Sequence, residues 1–278
     1  MIDIRRMTQE DFSFAVALTD REGWGYVEED FERLLSYEPE GCFVAEYEKR
    51  PIGLTTTTSY GRIGWIGNVM VEERFRETGV GRRLVQASVE YLMNAGVRTV
   101  HLTSYMNIIH FYEGLGFQTE FLISSMSVDT RGFDSSKCGV ADEASLNRIT
   151  ALDASFFGGD RSRIIRRMWR DFPRLLLVTE DSLGYVIATC TEKSCEIGPL
   201  VVESGSQHAA EQLLRGILST VSANKARIFV PHANQSALKL VKSLGFEEDF
   251  KTMRMRYGKA NKKERPEGIF AIGALEKG

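Results

Sequence analysis

The chain repeats itself at domain scale. Leu115-Gly116-Phe117 recurs as Leu244-Gly245-Phe246, an offset of 129 positions. Leu84-Val85 and Arg98-Thr99-Val100 match Leu213-Leu214 and Arg227-Ile228-Phe229 at the same offset. Upstream, Gly53, Ile66-Gly67 and Val71-Glu72 match Gly184, Ile197-Gly198 and Val202-Glu203, now at 131. Short matches of glycine with apolar residues arise by chance between any two α/β domains, but an ordered set with one step in its offset marks a duplication. Two residues are missing from the second copy between positions 203 and 213. A repeat of this length is a whole domain rather than a solenoid unit. It predicts two related domains, 1–130 and 138–278, as does a chain of 278 residues at about 150 per domain.

Composition removes several function classes. Apolar residues make up 43% and charged residues 26%, enough for a core. No window approaches the roughly 18 uncharged apolar residues of a membrane span, and Ile2-Asp3-Ile4-Arg5 runs straight into a strand pattern without a leader. The expectation is a cytoplasmic protein with no membrane partner. Cys42, Cys138, Cys190 and Cys195 form no CxxC pair and the four histidines are scattered, so neither a metal site nor a disulfide framework is expected. Residues 1–128 carry 12 bases against 19 acids, the remainder 23 against 19. Neither balance suits nucleic acid. Ten acids lie between Asp20 and Glu48, whereas Arg161–Arg174 holds six arginines and one acid. Monomer and dimer both stay open.

Periodicity gives each copy a similar order of elements. In the first, a strand at 2–6 precedes a helix capped by Thr8 with Asp11 and a helix at 27–37 facing Phe31, Leu34 and Leu35 inward. Strands at 42–48, 52–60 and 65–71, a helix at 82–94, a strand at 99–103, a helix at 108–115 and a strand at 121–128 complete it. The second copy reads as helices at 142–156 and 161–170, strands at 175–179, 185–191 and 195–202, a helix at 207–221, a strand at 227–231, a helix at 235–244 and a strand at 251–256. A polar link, 258–268, and an apolar tail, 269–275, follow. The fold class is α/β with a mixed sheet and flanking helices in each copy.

Between the strand ending at Val71 and the helix entered near Arg82 runs Glu72-Glu73-Arg74-Phe75-Arg76-Glu77-Thr78-Gly79-Val80-Gly81. Glycines at 79 and 81 clear side chains where backbone must approach a ligand, and free amides at a helix start favour phosphate. A plain exposed turn uses glycines in the same way, so the glycines alone leave both readings open. GxGxxG is absent.

The Arg-x-x-Gly-x-Gly of this loop, together with Phe111-Tyr112-Glu113-Gly114-Leu115-Gly116-Phe117 downstream, resembles the GNAT superfamily of N-acetyltransferases over residues 2–128. The duplicated chain further resembles tandem members in which an active N-terminal domain precedes a degenerate one. The resemblance implies that each sheet is mostly antiparallel with a central splayed pair of parallel strands, and that acetyl-CoA is the cofactor. Backbone groups of Val69, Met70 and Val71 would meet the pantetheine arm, and amides of Glu77, Thr78, Gly79, Val80, Gly81 and Arg82 the pyrophosphate. Tyr112 would be the general acid for the leaving thiolate, a role worth ~10²–10⁴-fold; its bland alternative is a core residue. The chain departs from relatives at Tyr105 and Ile108, where they carry Asn and Ala; Asn107 lies nearby as a substitute ligand. Thr103 stands where some relatives carry a base, leaving His101, His110 and a water chain as candidates.

The second copy has Ser204-Gly205-Ser206-Gln207-His208-Ala209 in place of the loop and Val241 in place of Tyr112, although Asn234 and Ala237 keep the relatives' Asn-x-x-Ala spacing. One active site is expected. It would move an acetyl group to a small cationic or lysine-type amine by direct attack in a ternary complex. An idle acetyl-CoA-binding regulator and a transferase of longer acyl chains are the alternatives. Trp24, Glu28 and Glu29, in the acidic segment that lines the acceptor side of this fold, are the acceptor candidates. Those acids have a competing use as a docking surface for the arginine-rich helix.

Overall fold

In the computed structural model, which describes residues 2–134, 136–190 and 195–278, the chain opens with β1 (Ile2–Arg6) and a capping box. The Thr8 amide donates to Asp11 Oδ2 at 2.8 Å, and one 3-10 turn leads into α1 (Phe12–Arg21). In α2 (Glu28–Tyr37) the fully buried positions are Phe31, Leu34 and Tyr37, with Leu35 half-buried. β2 (Phe43–Tyr47), β3 (Arg50–Ser59) and β4 (Ile63–Val71) follow as a meander. α3 (Val80–Asn94) puts Leu84, Val85, Ser88 and Leu92 on its buried stripe, the i, i+4, i+8 spacing of a half-covered helix. β5 (Thr99–Tyr105), α4 (Ile109–Glu113) and β6 (Gln118–Asp129) end the first copy.

The second copy runs β7 (Cys138–Val140), α5 (Glu143–Phe157), α6 (Ser162–Asp171), β8 (Leu176–Thr179), β9 (Gly184–Cys190) and β10 (Cys195–Val202). α7 (Gln207–Thr220), β11 (Lys225–Pro231), α8 (Gln235–Ser243), β12 (Glu247–Gly258) and β13 (Ile269–Ala271) complete it. Thr191, the expected end of one strand, lies outside the described residues. The short β7, which sequence periodicity misses, pairs with β8 as β1 pairs with β2.

All thirteen strands join one sheet in the order β1-β2-β3-β4-β5-β12-β6-β11-β10-β9-β8-β7, with β13 beside β10. The order reads the same from either end when β1–β6 are equated with β7–β12, the relation two copies have about a two-fold axis, and the last strands are exchanged. β12, from the second copy, pairs with β5 (Arg256 opposite His101), and β6, from the first, pairs with β11 (Ser127 opposite Arg227). Register also corrects one sequence match. β4 sets Gly64 opposite Val100 and β10 sets Cys195 opposite Ala226, so β11 lies three residues from the equivalence of Arg98–Val100 with Arg227–Phe229.

The expectation of unpaired cysteines fails at one place: Cys190 and Cys195 form a disulfide. The β9–β10 ladder sets them directly opposite, a relation that only the register reveals. Cys42 and Cys138 are free, and burial pushes the Cys42 thiol up to about 12. No helix is long and apolar enough to cross a membrane, and no cluster of three metal-ligating side chains occurs among the described residues.

Candidate functional site

The parallel pair β4–β5 stays in register from Ile63–Thr99 to Ile66–Leu102 and then opens, although the strands continue to Val71 and Tyr105. A bulge in β4 accompanies the opening. β3 pairs Leu54 with Met70 but Thr56 with Gly67, so Asn68 and Val69 together face Thr55. Asn68 takes the left-handed region at φ 50° and its side-chain amide donates to Thr56 Oγ1 at 3.2 Å. Such a bulge re-aims the strand beyond it. Val69 turns to the α3–α4 side, against the cluster of Ile66, Val85 and Leu102, and Met70 to the opposite core. The edge of β4 from Gly67 to Val71 is left without a strand opposite it.

Past that edge, Glu77 and Gly79 take positive φ (65° and 90°), and α3 begins at Val80. The amides of Glu77, Thr78, Gly79, Val80, Gly81 and Arg82 find no backbone acceptor among the described residues. They form a row of free donors at the positive end of a 15-residue helix. The loop's outer side is tied down: Thr78 Oγ1 donates to the Phe75 carbonyl at 2.7 Å, and Arg76 spans the Val71 carbonyl (3.1 Å) and Glu22 (2.6 Å). A Cβ on Gly81 would sit 3.4 Å from the Phe111 ring, whereas one on Gly79 meets nothing but demands a strained backbone.

Tyr112 lies on α4, buried among Leu102, Phe117 and Met255, with Phe111 and Phe117 edge-on to its ring. Its hydroxyl has no hydrogen-bond partner among the described residues, and burial raises its pKa above the ordinary phenol value. Asn107 is exposed in the turn before α4. Thr103, one residue past the last β4–β5 pair, has its hydroxyl sealed from solvent without a partner. The histidines lie elsewhere. His101 is buried against Trp65 and accepts from Arg254 Nη2 at 3.1 Å; burial and then Arg254 lower its pKa. His110 is exposed beside Glu113.

The second copy has the same opening but fills it with its own chain. β10 and β11 pair from Cys195–Ala226 to Ile197–Ile228. β13 then lies antiparallel to β10 (Leu200 opposite Ala271), while the Ile272 amide donates to the Phe229 carbonyl of β11 at 3.0 Å. Asn234 locks this insertion: its amide donates to the carbonyls of Glu267 (2.9 Å) and Ile269 (3.1 Å), and its oxygen caps α8 through the Ala237 amide.

From β13 the chain crosses to the first copy. Trp65 Nε1 donates to the Leu275 carbonyl (3.0 Å) and Tyr60 to Lys277 (2.5 Å), while Arg161 of the second copy holds the Gly278 carbonyl (2.5 Å). Glu276 lies so close over Gly67 that a Cβ there would fall 2.4 Å from its own. Beside it, between the copies, is a cavity of about 120 Å³ whose wall includes Trp24, Tyr26, Asp30, Glu196, Glu276 and Lys277. Of the acceptor residues expected from sequence, Trp24 reaches this cavity, its ring 6.5 Å from that of Tyr105 at the end of β5. Glu28 and Glu29 do not: they are exposed on the first turn of α2 and absent from the lining. The neighbouring acids do meet the arginine-rich helix, with Arg163 3.6 Å from Glu38 and Arg167 4.0 Å from Glu32. Glu196, Glu276 and Lys277 carry no local signal in the sequence, because only the exchange and the crossing tail bring them to Trp24.

Comparison with known proteins agrees with this geometry. The acetyltransferase (GNAT) family matches residues 2–117, and a second GNAT acetyltransferase domain description matches residues 149–271. The uncharacterised N-acetyltransferase YitH of Bacillus subtilis is 25% identical over 199 residues, 68% of each chain. Holothin acyltransferase of a Pseudoalteromonas strain is 23% identical over 298 aligned positions, spanning 100% of this chain and 99% of that one. The crystal structure of a candidate acetyltransferase from Pyrococcus horikoshii superposes with a TM-score of 0.85 at 24% identity, covering 100% and 96% of the two chains. With a splayed strand pair in each half and a family match to each, the chain belongs to the GNAT acetyltransferases, as a tandem member.

Proposed function

We propose that the protein is an acetyl-CoA-dependent N-acetyltransferase with one active site, in the half spanning 1–130, and that the half spanning 138–278 holds no coenzyme. The row of unpartnered amides from Glu77 to Arg82 carries this reading. Each is a donor without an acceptor, set around left-handed Glu77 and Gly79, and a pyrophosphate would satisfy them together. The open edge of β4 at Val69–Val71 offers backbone groups to an extended pantetheine arm in the manner of an added strand. The Val71 carbonyl is the exception, being taken by Arg76. Bound acetyl-CoA supplies the activated acetyl group. The protein's part is to align it with the amine, exclude water and hold Tyr112, proton on its oxygen, beside the departing sulfur. Asn107, exposed at the cleft mouth, is a further coenzyme contact in this reading.

In the second half the equivalent cleft holds β13, and Val241 replaces the tyrosine. The chain itself does there what a pantetheine would do in the first half.

The test is incubation with acetyl-CoA and a panel of primary amines, following free thiol and product mass. The expected result is amine-dependent thiol release with a mass gain of one acetyl group. Tight coenzyme binding with no amine-dependent release overturns the transferase in favour of an idle binder, and faster release from hexanoyl-CoA assigns a longer acyl group.

A further inference from the structure

We propose that the cavity between the two copies receives the ammonium end of the acceptor, and that Glu196, from the second copy, is its counter-ion. This rests on the transferase reading and names the acceptor side of the same site.

Position is the first argument. The cavity wall includes Glu276, which packs on Gly67 where β4 and β5 have just parted, and Trp24, which reaches the end of β5 through Tyr105. It therefore abuts the splay on the face opposite α3 and α4. Charge is the second argument. Three carboxylates and two cations line the cavity, and four of the five are already matched. Asp30 lies 2.5 Å from Arg33, both on α2, and Glu276 lies 2.5 Å from Lys277, both on the tail. Arg227, opposite Glu196 on β11, lies 3.7 Å from Asp249. Glu196 has no ion-pair partner among the described residues, so the cavity carries one unmatched carboxylate, fit for one cation.

The surroundings suit an amine. Trp24 and Tyr26 supply aromatic faces, and Leu34 and Met168 apolar wall, while the volume is well below the ~300–1,000 Å³ of drug-sized pockets. A compact alkylammonium fits this description. Burial, with the Glu276 carboxylate adding, raises Glu196 to about 7, while Lys277 and Arg227 oppose the rise and Asp30 supports it. Tyr26 and Tyr37, also facing the cavity, are raised further by burial and stay neutral. Glu196 thus changes charge near neutrality, the range in which a carboxylate can accept a proton. It takes one ammonium proton, O–H forming as N–H breaks, and leaves the nitrogen with a free lone pair for attack.

Glu196→Gln keeps the shape and removes the charge. With acetyl-CoA saturating, KM for n-butylamine and 1,4-diaminobutane should rise at least tenfold, as expected for losing one partner of a desolvated charge pair. The rise of kcat/KM with pH through about 7 should vanish, and acetyl-CoA affinity should stay within twofold. A folded variant with wild-type KM and pH profile overturns the proposal. Calorimetric titration of both amines into the coenzyme A complex reads the site without turnover: binding by the wild type and none by the variant supports it. Equal binding by both, or by neither, overturns it whatever the transfer assay gives. Amine binding without thiol release would sink the transferase reading instead. Should Glu196→Gln fail to fold, Thr189→Lys sets a tethered ammonium opposite Glu196 in the β9–β10 ladder. It is expected to abolish amine binding and keep coenzyme affinity; unchanged amine binding overturns the proposal.

Discussion

Tyr112 carries a hydroxyl that the fold leaves without a partner, in a ring otherwise held by Phe111, Phe117 and Leu102. The ring is buried, but the hydroxyl is not one of the solvent-sealed oxygens and, unpaired among the described residues, is free to meet a group that arrives with the substrate. Tyr112→Phe should therefore leave the melting temperature within about 2 °C, since no protein hydrogen bond is lost, while kcat falls ~10²–10⁴-fold and acetyl-CoA affinity changes little. Wild-type turnover in that variant would remove the tyrosine from the chemistry. The two loop glycines separate for a similar reason. At Gly79 any side chain must take φ 90°, at a cost of roughly 1–2 kcal/mol, and the distortion falls on the amides of the cradle. Gly81 has an ordinary φ and a contact of 3.4 Å with Phe111. Gly79→Ala should weaken acetyl-CoA binding about tenfold in a calorimetric titration, and Gly81→Ala by threefold or less; equal losses would place the phosphates elsewhere. These residues were legible in the sequence because their chemistry is contiguous, a loop and one helical turn. Glu196 was not, because the groups that surround it, Trp24, Glu276 and Lys277, come from distant parts of the chain.

Elements came out largely where hydrophobic periodicity put them, since each strand or helix needs only its own pattern to declare a buried face. What periodicity does not encode is the partner. β12 alternates in the same way whichever sheet it enters, so its place between β5 and β6 stays invisible until the ladder is seen. The segment 269–275 announced itself only as apolar, and the three residues of β13 are too few to show a period. Their role lies in three contacts: the ladder with β10, the Ile272 amide on β11, and the Asn234 clamp. Asn234 serves two elements at once, capping α8 and holding β13, so it has a structural use that needs no coenzyme. Asn234→Ala should destabilise the protein by about 2 kcal/mol, from a lost cap and buried carbonyls left unpaired. Denaturant unfolding measures this, and a cost under about 0.5 kcal/mol would mean that β13 is held by its apolar side chains alone.

At the scale of the whole molecule, the exchange makes each copy structurally incomplete. Residues 1–130 alone would keep β5 but lose β12, exposing a row of unpaired backbone groups beside the cleft, and would leave β6 attached to nothing. An open edge of that kind recruits another strand. Arg254 raises the cost of separation, because this β12 residue is sealed between Trp65 and Phe121 and ion-paired to Glu120 at 3.0 Å and to Glu264. Without the second copy, Glu120 and His101 would lose the cation they surround. The tail strengthens the same coupling, since one stretch of chain seals the second cleft with β13 and then walls the cavity between the copies with Glu276 and Lys277. The two copies are thus coupled twice, by the exchanged strands and by the cavity wall that both supply. Residues 1–134 and 136–278 produced as separate chains should each aggregate or form strand-swapped oligomers, while co-expression should give a 1:1 complex that binds acetyl-CoA. Size-exclusion chromatography with light scattering distinguishes the outcomes. A monomeric, cooperatively melting 1–134 fragment that binds acetyl-CoA as tightly as the full chain would show that the exchange is dispensable, and that the second copy serves the acceptor alone.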